Sequence, residues 1–230
     1  MSAAVVVEGL EKTFTLHTQG GLELPVLRGV SLRVASGDCV ALGDPSGAGK
    51  STLLRCIYGN YRAQRGRIVI RHGEGTVDMV SAEPRQILDV RRRTMGYVSQ
   101  FLRVVPRVPT LTIVAEPLRW LGMGAEEATE RAAAVLRRLR IPERLWSLSP
   151  VTFSGGEQQR VNVARGLVAG LPVLLLDEPT ASLDADSRAR VVELIRDARE
   201  RGTAIIGTFH DLAVRDALGT RVARLHEAAA

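Results

Sequence analysis

The segment Leu42-Gly43-Asp44-Pro45-Ser46-Gly47-Ala48-Gly49-Lys50-Ser51-Thr52 sets glycines, a lysine and two adjacent hydroxyls between an apolar run and a helical one. A glycine-rich turn in that context lets successive backbone N–H groups converge on an anion, and the helix N-terminus adds a favourable dipole. The phosphates of a nucleotide suit such a cradle, with Ser46, Gly47, Ala48 and Gly49 forming it. Lys50 is spaced to reach the β- and γ-phosphates, and Ser51, followed by Thr52, to offer a hydroxyl to Mg²⁺. Lysine occurs only at Lys12 and Lys50, all other basic side chains apart from the histidines being arginine. The segment departs from the strict pattern G-x-x-x-x-G-K-[ST] because Asp44 stands in the first glycine slot.

A second set of groups follows in Val173-Leu174-Leu175-Leu176-Asp177-Glu178, an all-apolar run ending in two carboxylates. A strand buried on both faces reads this way. At its end Asp177 is placed to hold the Mg²⁺ shell and Glu178 to polarise an attacking water. Between the two lies Phe153-Ser154-Gly155-Gly156-Glu157 at the start of a helical run. Ser154 and the two glycines make a second anion cradle at a helix N-terminus. One triphosphate needs one cradle, so the second is expected to complete the site of another subunit.

Taken together, these segments resemble the ATP-binding cassette (ABC) ATPase family over nearly the whole chain. The resemblance implies an α/β P-loop NTPase core sheet with an antiparallel β subdomain and an inserted helical subdomain, at about residues 101–164 of a single 1–230 domain. It implies further roles by position. Phe14 falls where the family has an adenine-stacking aromatic, and Gln100 matches the glutamine that joins Mg²⁺ and senses partners. Ser154-Gly155-Gly156-Glu157 matches the signature motif, with glutamate for the commoner glutamine. Asp184 in Ala181-Ser182-Leu183-Asp184 matches the D-loop, and His210 the histidine that contacts the γ-phosphate. Two such subunits, identical or related, would sandwich two Mg-ATP head to tail and hydrolyse them.

Stretches outside this machinery point to one branch. Tyr97 to Arg107, Pro142 to Trp146, Thr152 to Glu157, Thr15-Leu16-His17, and Phe209 to Asp211 followed by Ala213-Val214-Arg215 are similar to the branch that serves the bacterial phosphonate carbon–phosphorus lyase system as its L component. That similarity implies lyase subunits as partners and a part in forming ribose 1-phosphonate 5-triphosphate. Two alternatives stand beside it. One is an ATP-binding subunit driving a membrane permease; the other is a nucleotide-gated assembly module with little turnover.

The elements that must position these groups can be read from periodicity. Strands are expected at Val5 to Phe14, Val30 to Val34 and Cys39 to Leu42, then a helix from Lys50 to Tyr58. A hairpin surrounds Gly73-Glu74-Gly75, and helical periods cover Pro84 to Arg93 and Thr112 to Arg140. Beyond Val173, helices from Asp186 to Arg201 and from Asp211 alternate with strands from Thr203 to Thr208 and from Arg221 to Leu225, as a parallel sheet with crossover helices requires. Composition agrees with a globular chain: 230 residues, 45% hydrophobic, 24% charged, net charge +6. The N-terminus has no secretory signal pattern and no apolar run approaches a membrane span, so the expected location is the cytoplasm. Arg91-Arg92-Arg93 and Arg137-Arg138 lack interleaved aromatics and are expected on solvated helix faces, with no nucleic-acid partner. Cys39 and Cys56 have no metal-ligand spacing and are expected as two reduced thiols.

Asp44 yields the first testable outcome. A carboxylate about 6 Å from one phosphate charge costs about 3 kcal/mol at an effective dielectric of about 20, or about a hundredfold in affinity. Asp44→Gly is therefore expected to tighten ATP binding by at least about tenfold, with a smaller gain for Asp44→Asn. Nucleotide titration at fixed Mg²⁺ checks this, and identical affinities for the three proteins would show that Asp44 does not oppose the phosphates.

Overall fold

The computed structural model describes residues 3–16, 18, 20–43, 45, 47–219 and 221–225. Asp44 and Ser46 lie outside the described residues. Two sheets are present. The antiparallel sheet has the order β2-β1-β4-β5, formed by β1 (Ala3–Leu16), β2 (Leu22–Ala35), β4 (Arg65–His72) and β5 (Gly75–Asp78). The parallel sheet has the order β6-β7-β8-β3-β9, formed by β3 (Cys39–Leu42), β6 (Met95–Val98), β7 (Val173–Asp177), β8 (Ala204–Thr208) and β9 (Arg221–Ala223). β8 thus lies between β3 and β7, and its C-terminal end faces both the loop after β3 and the carboxylates ending β7. The helices are α1 (Lys50–Ile57), α2 (Pro84–Arg93), α3 (Thr110–Trp120), α4 (Ala125–Arg138), α5 (Gly155–Leu167), α6 (Ala185–Glu200) and α7 (Leu212–Ala217).

The all-apolar reading of β7 has a direct physical cause, because its side chains alternate between two cores. Leu174 and Leu176 join a core built with α3, α4, α5 and α6, while Val173 and Leu175 join a second core with α1 and the antiparallel sheet. β3 and β8 divide the same way, Cys39, Ala41 and Ile205 on one side and Val40, Leu42, Ala204 and Ile206 on the other. The central sheet is therefore a rigid plate, with functional loops leaving its C-terminal edge. Both cysteines are buried and free; burial pushes the Cys39 thiol up to about 12 and Cys56 to about 11. Neither is a nucleophile at neutral pH.

The structure departs from the sequence-based expectation in three places. β2 begins at Leu22, well before Val30, because it pairs with β1 along a long bulged ribbon. The helical stretch from Thr112 to Arg140 is two helices, α3 and α4, separated around Gly122-Met123-Gly124, where Gly122 takes a φ of 88°. β6 was not expected at all. It is only four residues long, and its neighbours make it a strand by parallel pairing with β7. Close backbone approach locks it in place: a Cβ on Gly96 would stand 2.8 Å from the Gly166 carbonyl oxygen of α5, and one on Gly166 would collide with Val98. Gly96→Ala is expected to lower stability by about 1–3 kcal/mol through overpacking. Urea unfolding checks this, and an unchanged midpoint would contradict the close packing of α5 on β6.

Candidate functional site

The loop after β3 folds as its glycines dictate. Gly47 and Gly49 have φ of 83° and 94°, and a Cβ on Gly49 would lie 2.8 Å from Val26 Cγ1 of β2. Only glycine satisfies that conformation and that contact together. Gly49 is the N-cap of α1, so Lys50, Ser51 and Thr52 occupy its first turn with their N–H groups at the positive end of the dipole. Lys50 Nζ donates to the Pro45 carbonyl at 2.7 Å, bending back over the loop that carries it.

Asp177 is the convergence point. Its side chain is buried at the end of β7 and accepts hydroxyl hydrogen bonds from three other elements. Ser51 Oγ of α1 donates to Oδ1 at 2.9 Å, Thr208 Oγ1 at the end of β8 to the same oxygen at 3.2 Å, and Tyr97 OH of β6 to Oδ2 at 3.2 Å. Glu178 follows with a φ of 55°, a left-handed backbone for a non-glycine residue, and its N–H donates to Thr208 Oγ1 at 2.9 Å. Such a conformation is stored where surrounding bonds over-determine it. The result turns the Glu178 carboxylate toward His210, whose Nε2 lies 2.8 Å from Oε1. Thr208 was not singled out in the sequence, although a hydroxyl closing an apolar run beside His210 was the available signal.

The second cradle folds as a capping box. Ser154 caps α5, its Oγ accepting from Glu157 N–H at 3.4 Å, while Glu157 Oε2 receives Ser154 N–H at 3.0 Å and Oγ–H at 2.7 Å. Those bonds hold the Glu157 carboxyl below the usual carboxylate range. Ser154 and Gly155 are exposed, facing outward. Further along α5, Gln159 Nε2 donates to the Glu178 carbonyl at 3.2 Å and Arg160 Nη1 to Ser187 Oγ at 2.7 Å. Asp184 is the N-cap of α6, accepting from Ser187 N–H and Oγ–H, each at 2.9 Å. α5, the end of β7 and the start of α6 therefore form one bonded unit.

Phe14 lies in β1 opposite Leu24 of β2, two residues from the Val26 that touches Gly49. It stands edge-on to Tyr61 at 5.3 Å with Lys12 Nζ 4.9 Å from its ring centre. Gln100 follows β6 and lines a groove of about 510 Å³ together with Tyr58, Arg91, Phe101, Trp120 and Arg165. Asn162 Nδ2 of α5 donates to the Ser99 carbonyl at 2.6 Å and fixes the start of that segment. The basic runs are engaged by neighbouring groups: Arg91 with Tyr58 and Asn60, Arg93 with Asp89, Arg137 with Glu143, and Arg138 with Asp197.

The fold and the convergence of a phosphate loop with two strand-end carboxylates define a P-loop ATPase. Residues 27–181 match the ABC transporter family, and the chain belongs to it as an ABC-type ATPase. The chain is 40% identical to the lipoprotein-releasing system ATP-binding protein LolD of Maricaulis maris, over 91% of this chain and 89% of that one. It is 35% identical to the histidine/lysine/arginine/ornithine transport ATP-binding protein HisP of Escherichia coli, over 92% and 84%. Among solved structures it resembles the dimeric ATP-binding cassette MJ0796 in a post-hydrolysis state bound to ADP and Pi, with a TM-score of 0.86, 28% identity, and 96% and 93% coverage. The names of these relatives favour the transporter alternative over the carbon–phosphorus lyase branch expected from the sequence. Among the described residues no helix is long and apolar enough to cross a membrane.

Proposed function

We propose that this chain binds and hydrolyses Mg-ATP between two copies of itself and couples that cycle to a membrane permease. The observation that carries the reading is the continuous hydrogen-bonded path Ser51–Asp177–Thr208–Glu178–His210, which joins the phosphate loop to a poised carboxylate. The oxygen donors fit Mg²⁺. The Ser51 hydroxyl and the buried Asp177 carboxylate would supply it hard oxygen ligands. Among the described residues there is no cluster of three or more His, Cys, Asp or Glu that would make an all-protein cage. Bound Mg²⁺ would neutralise charge on the β- and γ-phosphate oxygens.

In this reading the loop N–H groups and Lys50 bind the phosphates, while Ser51, Asp177 and Gln100 hold the metal shell. Phe14 stacks on the base. Glu178 orients the attacking water and takes its proton, and His210, now bonded to Glu178, turns to the γ-phosphate when nucleotide arrives. Ser154, Gly155, Gly156 and Glu157 close over the nucleotide of the opposing subunit, and Asp184 lies beside that junction. The groove at Gln100 exposes Phe101 and Trp120, 72% and 49% accessible. Two exposed aromatics on one groove offer a partner apolar surface to cover, so a permease docked there would press on the segment that carries Gln100. The chain would then work at the cytoplasmic face of a membrane.

A second reading keeps the ATPase and replaces the permease by carbon–phosphorus lyase subunits. The segments Tyr97 to Arg107 and Pro142 to Trp146 favour it, because they resemble that branch outside the shared machinery. Mg²⁺-dependent phosphate release from ATP, lost in Lys50→Ala, tests the catalytic part; release that survives Lys50→Ala would refute it. Affinity purification in mild detergent tests the partner: a co-purifying permease supports the first reading, and soluble lyase subunits the second.

A further inference from the structure

Tyr97 stands outside every role assigned above, yet its hydroxyl reaches the central carboxylate. It pairs in register with Leu175 of β7, two residues before Asp177, so strand alternation puts Tyr97, Leu175 and Asp177 on one face. The ring is held by Tyr58, at 5.0 Å between centroids, and Tyr58 is itself capped by Arg91 at 4.5 Å. The hydroxyl donates to Asp177 Oδ2, while Ser51 and Thr208 both donate to Oδ1. Arg55, close enough for its charge to act on the Tyr97 phenol, donates to Tyr61 OH at 2.9 Å.

We propose that Tyr97 is a positioning residue that fixes the plane of the Asp177 carboxylate and so presets it for the nucleotide-bound cation. The inference rests on the Mg-ATP reading above. A carboxylate anchored at one oxygen rotates about its terminal torsion, which is broad. One anchored at both presents a single lone-pair direction to the metal shell. Phenylalanine at this position would keep the stack on Tyr58 and remove only the anchor at Oδ2.

The test compares parent, Tyr97→Phe and Ser51→Ala for binding of a fluorescent non-hydrolysable ATP analogue as Mg²⁺ is titrated. Tyr97→Phe is expected to raise the Mg²⁺ concentration for half-maximal binding by about three- to tenfold, as loss of one hydrogen bond to a charged group allows. Its analogue affinity without divalent cation stays within about twofold of the parent, and its thermal midpoint is preserved. If its titration coincides with the parent while Ser51→Ala is shifted, the proposal fails and the Mg-ATP reading stands. If neither variant is shifted, that reading fails and the proposal with it. An equal loss of affinity with and without Mg²⁺ would make Tyr97 a scaffold residue and overturn the proposal.

Discussion

Glu178→Gln is expected to bind ATP with affinity within about threefold of the parent and to lose at least about a hundredfold in turnover, the range supplied by one positioned general base. The amide preserves the shape of the side chain and its reach to His210, 2.8 Å away in the parent, while removing the anion that orients water. The backbone at this position, with its φ of 55°, is held by the Glu178 N–H bond to Thr208 and the carbonyl bond to Gln159, neither of which involves the carboxylate. The substitution therefore leaves the loop in place. ATP should accumulate between protomers, giving an ATP-dependent shift to a dimer on a sizing column. Phosphate release at the parental rate would remove Glu178 from the chemistry.

The two cradles should separate under a second pair of substitutions. Lys50→Ala removes a cation from the first turn of α1 and is expected to weaken ATP binding to the isolated chain by at least about thirtyfold, as loss of a charge-assisted contact worth about 2 kcal/mol requires. Ser154→Arg acts elsewhere. Ser154 lies exposed at the N-terminus of α5, its side chain bonded to Glu157. An arginine there is expected to leave binding to the isolated chain within about twofold, yet reduce turnover at least about a hundredfold by filling the space for the opposing γ-phosphate. Equilibrium nucleotide binding and phosphate release, measured side by side, check both. Equal loss of affinity in the two variants would place both cradles on one nucleotide.

Much of this site was readable before the fold, and the reason is physical. A loop that must turn through positive φ at Gly47 and Gly49 and then start a helix leaves little freedom in residue type, so β3 and the start of α1 fall where the pattern puts them. The same holds for β7, because burial on both faces leaves an unbroken apolar run. Tyr97 and Thr208 escaped because their roles come from strand order: only with β8 between β3 and β7, and β6 beside β7, do their hydroxyls meet Asp177. The break between α3 and α4 escaped because only Gly122 and Gly124 mark it in an otherwise helical composition, while the one proline of the stretch, Pro117, lies inside α3. Partner identity was the least legible, since it depends on exposed segments such as that around Phe101, where packing constrains residue type weakly.

The claim that each site is shared between two chains is tested most directly by mixing two disabled proteins. Lys50→Ala and Ser154→Arg, each placed in the Glu178→Gln background, should fail alone to retain ATP through gel filtration. In a mixed pair, one site combines both defects and the other combines an intact Lys50 from one chain with an intact Ser154 from its partner. The head-to-tail arrangement predicts that a 1:1 mixture retains ATP, at one nucleotide per mixed pair. No retention at any mixing ratio would contradict it.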